Sequence, residues 1–165
     1  MEQAPFDLNG SAEQVIGYYA NMVYRLAFAR TGSKYDADDI FQEVFLRYVK
    51  KHPAFTSEEH RKAWLLRVTV NCSHKFYYAF RRKKESEITD TAQAFGSLRE
   101  DYAFLYEQLR RLPPKYREVV HLFYYEDLPA EQISHILNRK HSTVRTQLTR
   151  ARAMLREFLK EEDDG

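Results

Sequence analysis

Apolar residues along this chain recur at three- and four-residue steps over five separate stretches. Val15, Tyr19, Met22 and Leu26 form the first, Ile40, Val44 and Tyr48 the second, and Trp64, Val68, Cys72 and Phe76 the third. Leu98, Tyr102, Leu105, Leu109 and Leu112 make a fourth, and Val144, Leu148, Ala151, Leu155 and Phe158 the last. That spacing follows the 3.6-residue turn of an α-helix, and no stretch alternates with period two for long enough to make a strand. The predicted fold class is all-α. Gly32, Pro53, Gly96, Pro113, Pro114 and Pro129 fall where helices should end or begin, and Gly17 alone lies inside a periodic stretch. Capping chemistry predicts the starts: Asp36 ahead of Asp38 and Asp39, Thr56 with Glu59 at capping-box spacing, and Ser142 at the final helix. The polar, weakly periodic segment 85–97 reads as a flexible linker between a helical domain over 1–84 and a smaller one over 98–165. Each is small for an independent core and is expected to be modestly stable alone.

Composition narrows the class. The chain has 165 residues, a mean hydropathy of -0.65 and no apolar run near the ~18 residues a bilayer span needs, so no membrane insertion is expected. Its first ten residues, MEQAPFDLNG, lack the basic and apolar regions of an export signal, which predicts a cytoplasmic protein. A single cysteine can form neither an internal disulfide nor a thiolate zinc cage. Cys72 falls on an apolar helix face and reads as structural. The six histidines (52, 60, 74, 121, 135 and 141) show no metal-ligand spacing, and neither G-x-x-x-x-G-K-S/T nor H-E-x-x-H occurs. No cofactor, metal or catalytic centre is expected.

Net charge is only +2, but its distribution is lopsided. Residues 1–60 carry six Lys/Arg against nine Asp/Glu, whereas 61–84 carry eight Lys/Arg and no acid. Residues 85–111 return to three against six, and 139–160 hold seven basic residues with Glu157 as the one acid. Two basic blocks separated by acidic stretches suggest two contacts with one polyanion.

The first block, RKAWLLRVTVNCSHKFYYAFRRKK, interleaves its charges with Trp64, Phe76, Tyr77, Tyr78 and Phe80. Single-stranded nucleic acid needs this combination, because cations neutralise phosphates while unstacked bases find aromatic planes. A solvated helix face over core aromatics, or a membrane-surface helix, are the alternatives from composition alone. Trp64, Val68, Cys72 and Phe76 share the face expected to be core, leaving Asn71, His74, Lys75, Tyr78, Arg81 and Arg82 on the remaining faces. The second block belongs to a three-part pattern in 113–159: a helix over about 115–125, another near 129–137, and a short turn at Asn138–His141 leading to a third. Two helices joined by three or four residues form a helix-turn-helix, whose second helix enters the major groove. Ser142, Thr143, Arg145, Thr146, Thr149 and Arg150 would face that groove, with Val144, Leu148 and Ala151 packed inward. An ordinary helical hairpin with a basic face is the plainer reading.

Four segments in series resemble one family, the extracytoplasmic-function group of bacterial sigma-70-type initiation factors. DADDIFQEVFLRYV (36–49) is similar to its polymerase-binding helix, D-A-x-D-x-x-Q-E-x-F, and AWLLRVTVNCSHKF (63–76) to its promoter-melting, −10-reading helix. LPPKYREVVHLFYYEDL and STVRTQLTRARAML resemble its −35-binding domain, so the likeness covers roughly residues 12–159. It implies a sigma factor that binds core RNA polymerase and directs it to −35 and −10 promoter elements, melting the latter. Asp39, Gln42, Glu43 and Phe45 would then contact the clamp helices of the largest subunit, with the flap as a further polymerase contact. Residues 53–60 would be the loop that captures a flipped −10 base, with Phe55 and Asn71 at the pocket. Lys62, Lys75, Arg81 and Arg82 would hold phosphates, and His74 and Tyr78 would complete the −10 surface. Trp64 fits core packing better than base stacking. The −35 contacts would be Lys140, Ser142, Thr143, Arg145, Thr146, Thr149 and Arg150. Promoter DNA and an anti-sigma protein able to hold the factor at the membrane are the other implied partners.

The chain departs from the family pattern at three places. Asn138 and Arg139 replace the usual Gly and apolar residue at the turn, so Arg139 is expected to point outward. Pro129 replaces a side-chain cap, and Ser142 replaces Gly. A stand-alone helix-turn-helix regulator, with its N-terminal half for dimerisation or sensing, is the runner-up. A nuclease fits poorly, because no carboxylate or metal cluster accompanies the basic helices.

Overall fold

The computed structural model describes residues 11–82 and 107–164. The proposed linker and the Leu98–Leu105 part of the fourth stripe lie outside the described residues. Six helices follow in order: α1 (Ala12–Thr31), α2 (Lys34–Lys51), α3 (Glu58–Arg82), α4 (Pro114–Val120), α5 (Ala130–Leu137) and α6 (His141–Asp164). A π-helical turn, His121–Tyr125, continues α4. Among the described residues there is no strand, as the periodicity predicts.

Local chemistry sets the helix ends. Ser11 opens α1 with a full capping box, its Oγ accepting from the Gln14 N–H and the Gln14 side chain accepting from the Ser11 N–H, both at 3.2 Å. Gly32 closes α1 in the left-handed region at φ 68, donating its N–H to Phe28 O, a conformation that costs glycine little. Two expected caps are displaced. Ser33, not Asp36, caps α2, and Asp36 stands in the first turn, where its N–H donates to Ser33 Oγ at 3.2 Å. Ser57, not Thr56, caps α3: its Oγ accepts from the His60 N–H at 3.0 Å, while the Thr56 N–H turns to His60 Nδ1. In both cases a serine makes the bond instead, Ser33 three residues before Asp36 and Ser57 one after Thr56, a choice that residue preference alone does not resolve.

α1 packs on both α2 and α3 to form a three-helix bundle, while α4, α5 and α6 form the second unit. The bundle core holds Val15, Val23, Leu26, Ile40, Val44, Leu65, Leu66 and Val70. The second unit buries Leu112, Val119, Leu122, Ile133, Val144, Leu148 and Ala151. The two are not separate spheres. α1 packs on α4 and α3 packs on α5, and the buried apolar residues of both units form one continuous cluster.

The core face of α3 differs from expectation. Leu65, Leu66, Thr69, Val70, Cys72 and Ser73 are buried, whereas Trp64, Val68 and Phe76 are half-buried. The buried arc includes polar Thr69 and Ser73, whose hydroxyls donate back to Leu65 O and Val70 O. A hydrophobic stripe therefore misplaces it, because small hydroxyl residues that satisfy themselves on the preceding turn bury as readily as apolar ones.

Candidate polymerase and nucleic-acid interfaces

The helix-turn-helix is built by α5 and α6. Pro129 opens α5 without a side-chain cap, as its identity requires, and Asn138 closes it in the left-handed region at φ 57. α6 begins at His141, with the Val144 N–H donating to Lys140 O at 3.0 Å, so Ser142 sits in its first turn instead of ahead of it. Val144, Leu148 and Ala151 are buried beneath the helix. Lys140, Ser142, Thr143, Arg145, Thr146, Thr149 and Arg150 are all exposed, forming one outward surface of cations and hydroxyls. Two shallow grooves share Ser142, Thr146 and Arg150: one adds Arg145 and Thr149, the other Lys115, Tyr116, Thr143 and Gln147. The arrangement offers donors to an acceptor-rich polyanion.

Arg139 corrects an expectation. Instead of pointing outward it turns in, pairing with the fully buried Glu118 and donating from Nη1 to Gln147 Oε1 at 2.9 Å and Lys115 O at 3.3 Å. The reason is electrostatic: an unpaired carboxylate at Glu118 would be costly, and the guanidinium satisfies it. The other Glu118 oxygen takes Arg30 from α1, whose Nε donates to Ser73 Oγ on α3. Glu118 thus ties both units and the turn together.

Much of the first basic block has internal work. Arg61 is fully buried, pairing with Glu58 at 3.1 Å beside the Phe55 ring. Glu58 also accepts from the Tyr19 hydroxyl at 2.7 Å, and burial together with that carboxylate pushes the phenol well above its ordinary range. Lys62, an expected phosphate contact, donates to Glu126 O at 3.1 Å. Arg67 donates to His135 O of α5. Counting charge therefore overstates the cations α3 holds ready for DNA. Asn71, His74 and Lys75 are exposed. His74 is pushed below its ordinary value by partial burial and then by Arg30 and Arg139, which favours a neutral imidazole. The side chains of Tyr78, Arg81 and Arg82 lie outside the described residues. Phe55 stacks on Tyr48 with centroids 6.3 Å apart and meets Trp64 edge-on at 5.9 Å. Trp64 is thus the junction: it touches Phe55 and, with Ala63, Arg67, Val68 and Asn71, lines a cleft closed by His135 and Ile136 of α5.

On α2, Asp39 and Gln42 are exposed and Glu43 is half-buried, paired with Arg47 at 2.7 Å and approaching Lys75 at 4.0 Å. Phe45 does not share that surface; it is 5% exposed and packs against Phe41 at 4.9 Å. Leu46 and Val49, at 57% and 39% exposure, hold the apolar positions beside Gln42 instead. Their signal was legible: 39, 42, 43 and 46 share a helix face, and 45 does not. Cys72 is buried, and burial followed by Glu43 pushes its thiol up to about 11, as suits a structural residue.

A second polar tie joins the units. Arg25 pairs with Glu126 at 3.2 Å and lies over the Tyr125 ring, while His121 Nε2 stands 3.2 Å from the same carboxylate. Burial pushes the Glu126 carboxyl up, but His121, Arg25 and Lys62 outweigh that and hold it below its ordinary value. Arg117 of α4, also buried, donates from Nε to Ala29 O at 2.7 Å. Among the described residues no helix is long and apolar enough to cross a membrane, and no group of His, Cys, Asp or Glu could hold a metal.

Comparison with known proteins agrees with this architecture. The model of Sigma-70 region 2 matches residues 15–85, and that of Sigma-70 region 4 matches residues 105–155. The chain is 31% identical over 145 residues to the RNA polymerase sigma factor SigV of Bacillus subtilis, covering 85% of this chain and 86% of that protein. It is 30% identical over 158 residues to the ECF RNA polymerase sigma factor SigM of the same organism, covering 87% and 92%. Two solved structures share the fold: CnrH in complex with the cytosolic domain of CnrY (TM-score 0.66, 19% identity, 91% of this chain and 88% of that one), and the sigma factor RpoE in complex with the anti-sigma factor NepR from Bartonella quintana (0.65, 21%, 90% and 96%). Matched along both helical units in the right order, the chain belongs to the ECF group of the sigma-70 family of RNA polymerase sigma factors.

Proposed function

We propose that the chain reads a −35 element with the outward face of α6, reads and melts a −10 element with α3, and docks on the clamp helices of core polymerase through Asp39, Gln42 and Glu43 of α2. Leu46 and Val49 supply the apolar part of that docking surface. The observation that carries the reading is the surface of α6 and the turn before it, where seven cationic or hydroxyl side chains are exposed over buried Val144, Leu148 and Ala151. Melting needs no nucleotide hydrolysis, because preferential binding of the exposed strand shifts the equilibrium. Residues 1–84 and 98–165 act as the two promoter-reading domains, joined through 85–97. A protein that acts on promoters would work in the cytoplasm, and an anti-sigma protein is the expected regulator.

The two promoter-reading surfaces are not equally available. α5 walls the cleft lined by Trp64 and Arg67, with Asn71 exposed at its edge, so a −10 strand can reach the whole of that surface only when the units separate. Separation breaks Arg30–Glu118, Arg25–Glu126 and the Lys62 and Arg67 contacts, and core polymerase must compensate by holding the units apart. In vitro transcription with purified core polymerase tests the function. A promoter-specific transcript that depends on both elements is expected; no transcript together with no core binding contradicts it. Dimeric binding to a palindromic site without polymerase would favour a stand-alone regulator instead.

A further inference from the structure

Arg139 does more than neutralise Glu118. An arginine side chain carries five N–H donors and no acceptor, so the atom of Gln147 that it meets must be the amide oxygen. The 2.9 Å contact therefore fixes which way the Gln147 amide faces. A free glutamine reads adenine by using both ends at once, its oxygen accepting from N6 and its nitrogen donating to N7. With one lone pair of its oxygen taken by Arg139, Gln147 is a poorer acceptor, while its amide nitrogen keeps two N–H donors. It lines the groove between the start of α4 and α6 together with Lys115, Ser142, Thr146 and Arg150, and none of the groove-lining residues is a carboxylate. Arg139 itself is held from behind by buried Glu118 and by Lys115 O, so it stays in place as DNA approaches.

We infer that Gln147 is a DNA-contacting residue of the −35 surface, oriented by the positioning residue Arg139, and that it favours a group offering acceptors over the donor–acceptor edge of adenine. The chemistry is an acceptor without a neighbouring donor, found at the O6 and N7 edge of guanine and in a phosphodiester oxygen; adenine pairing is disfavoured. The inference rests on α6 being the −35 reader.

The test uses holoenzyme on promoters carrying every base at each −35 position. Gln147→Ala is expected to weaken binding roughly 5- to 150-fold only where one position is guanine if a base edge is read. A uniform loss over all sequences, with the salt dependence unchanged because Gln147 is uncharged, assigns the contact to phosphate. Gln147→Glu keeps the Arg139 contact yet offers an acceptor, and should bind DNA no better than Gln147→Ala. Arg139→Lys keeps a charge for Glu118 but loses the fork, and in the base-edge case it should raise tolerance of adenine at the same position. Binding by Gln147→Ala and Gln147→Glu equal to the unsubstituted chain on every promoter overturns the inference, as does a preference for adenine at the position they affect. Absence of any −35 preference in the unsubstituted holoenzyme overturns the −35 reading itself, and this inference with it.

Discussion

α3 and α6 are both long, basic and amphipathic, yet they stand differently in the fold. α6 keeps its cations in solvent over an underside of Val144, Leu148 and Ala151. α3 turns Arg61 into the core and commits Lys62 and Arg67 to the second unit, so its cationic surface is partly consumed by the protein itself. The same sequence signal, basic residues interleaved with apolar ones, thus produces a solvent-exposed cationic surface in one helix and an internal latch in the other. Charge density alone does not distinguish them; the partners that the fold supplies do, Glu58 for Arg61 and the backbone carbonyls of Glu126 and His135 for Lys62 and Arg67.

Breaking the latch should give the largest effect. Glu118→Ala leaves Arg30 and Arg139 facing each other without their shared carboxylate, at a cost of about 3–5 kcal/mol, measurable by denaturant unfolding. A loss below 1 kcal/mol would mean that the carboxylate does not hold the units. On the α6 side, Arg145→Ala should leave stability nearly unchanged and cost about 1–3 kcal/mol of promoter binding if it reads a base edge. Holoenzyme affinities on −35 variants measure it.

Acid should separate the two helices again. The Glu126 carboxyl is held below its ordinary value when docked, so its contribution is full above about pH 5 and fades as pH falls through the lower docked value. An interdomain distance that is constant from pH 7 to about pH 5 and lengthens below is expected, with α6 still folded. A distance unchanged under strong acid would remove Glu126 from the latch. The smallest change in stability belongs to α2: replacing Asp39, Gln42 and Glu43 with alanine should shift unfolding by no more than about 0.5 kcal/mol per site. Core polymerase binding, followed by native gel or fluorescence, should weaken all the same.

Among the described residues, the helices with full bounds and the order of the two units were legible because apolar periodicity and scarce glycine and proline report helices directly. The outward face of α6 was legible for the same reason: its underside is wholly apolar, so what remains must face out. The buried arc of α3 was not, since Thr69, Ser73 and Arg61 carry polar labels and are satisfied by partners that only the fold supplies. Arg139 was misread because Glu118, its partner, lies 21 residues away in sequence. Phe45 shows the opposite error, an aromatic assigned by family likeness to a surface that its own helical angle denies it.

The central claim is that the Trp64 and Arg67 side of α3 is walled off by α5 until the units part. Arg67→Cys and His135→Cys, joined by a short bismaleimide, would hold them together, with the same variant capped by a monofunctional maleimide as control. Run-off transcription with core polymerase from a premelted promoter is then the direct test. The joined protein should lose the transcript while the capped one keeps it; equal transcription from both would contradict the claim.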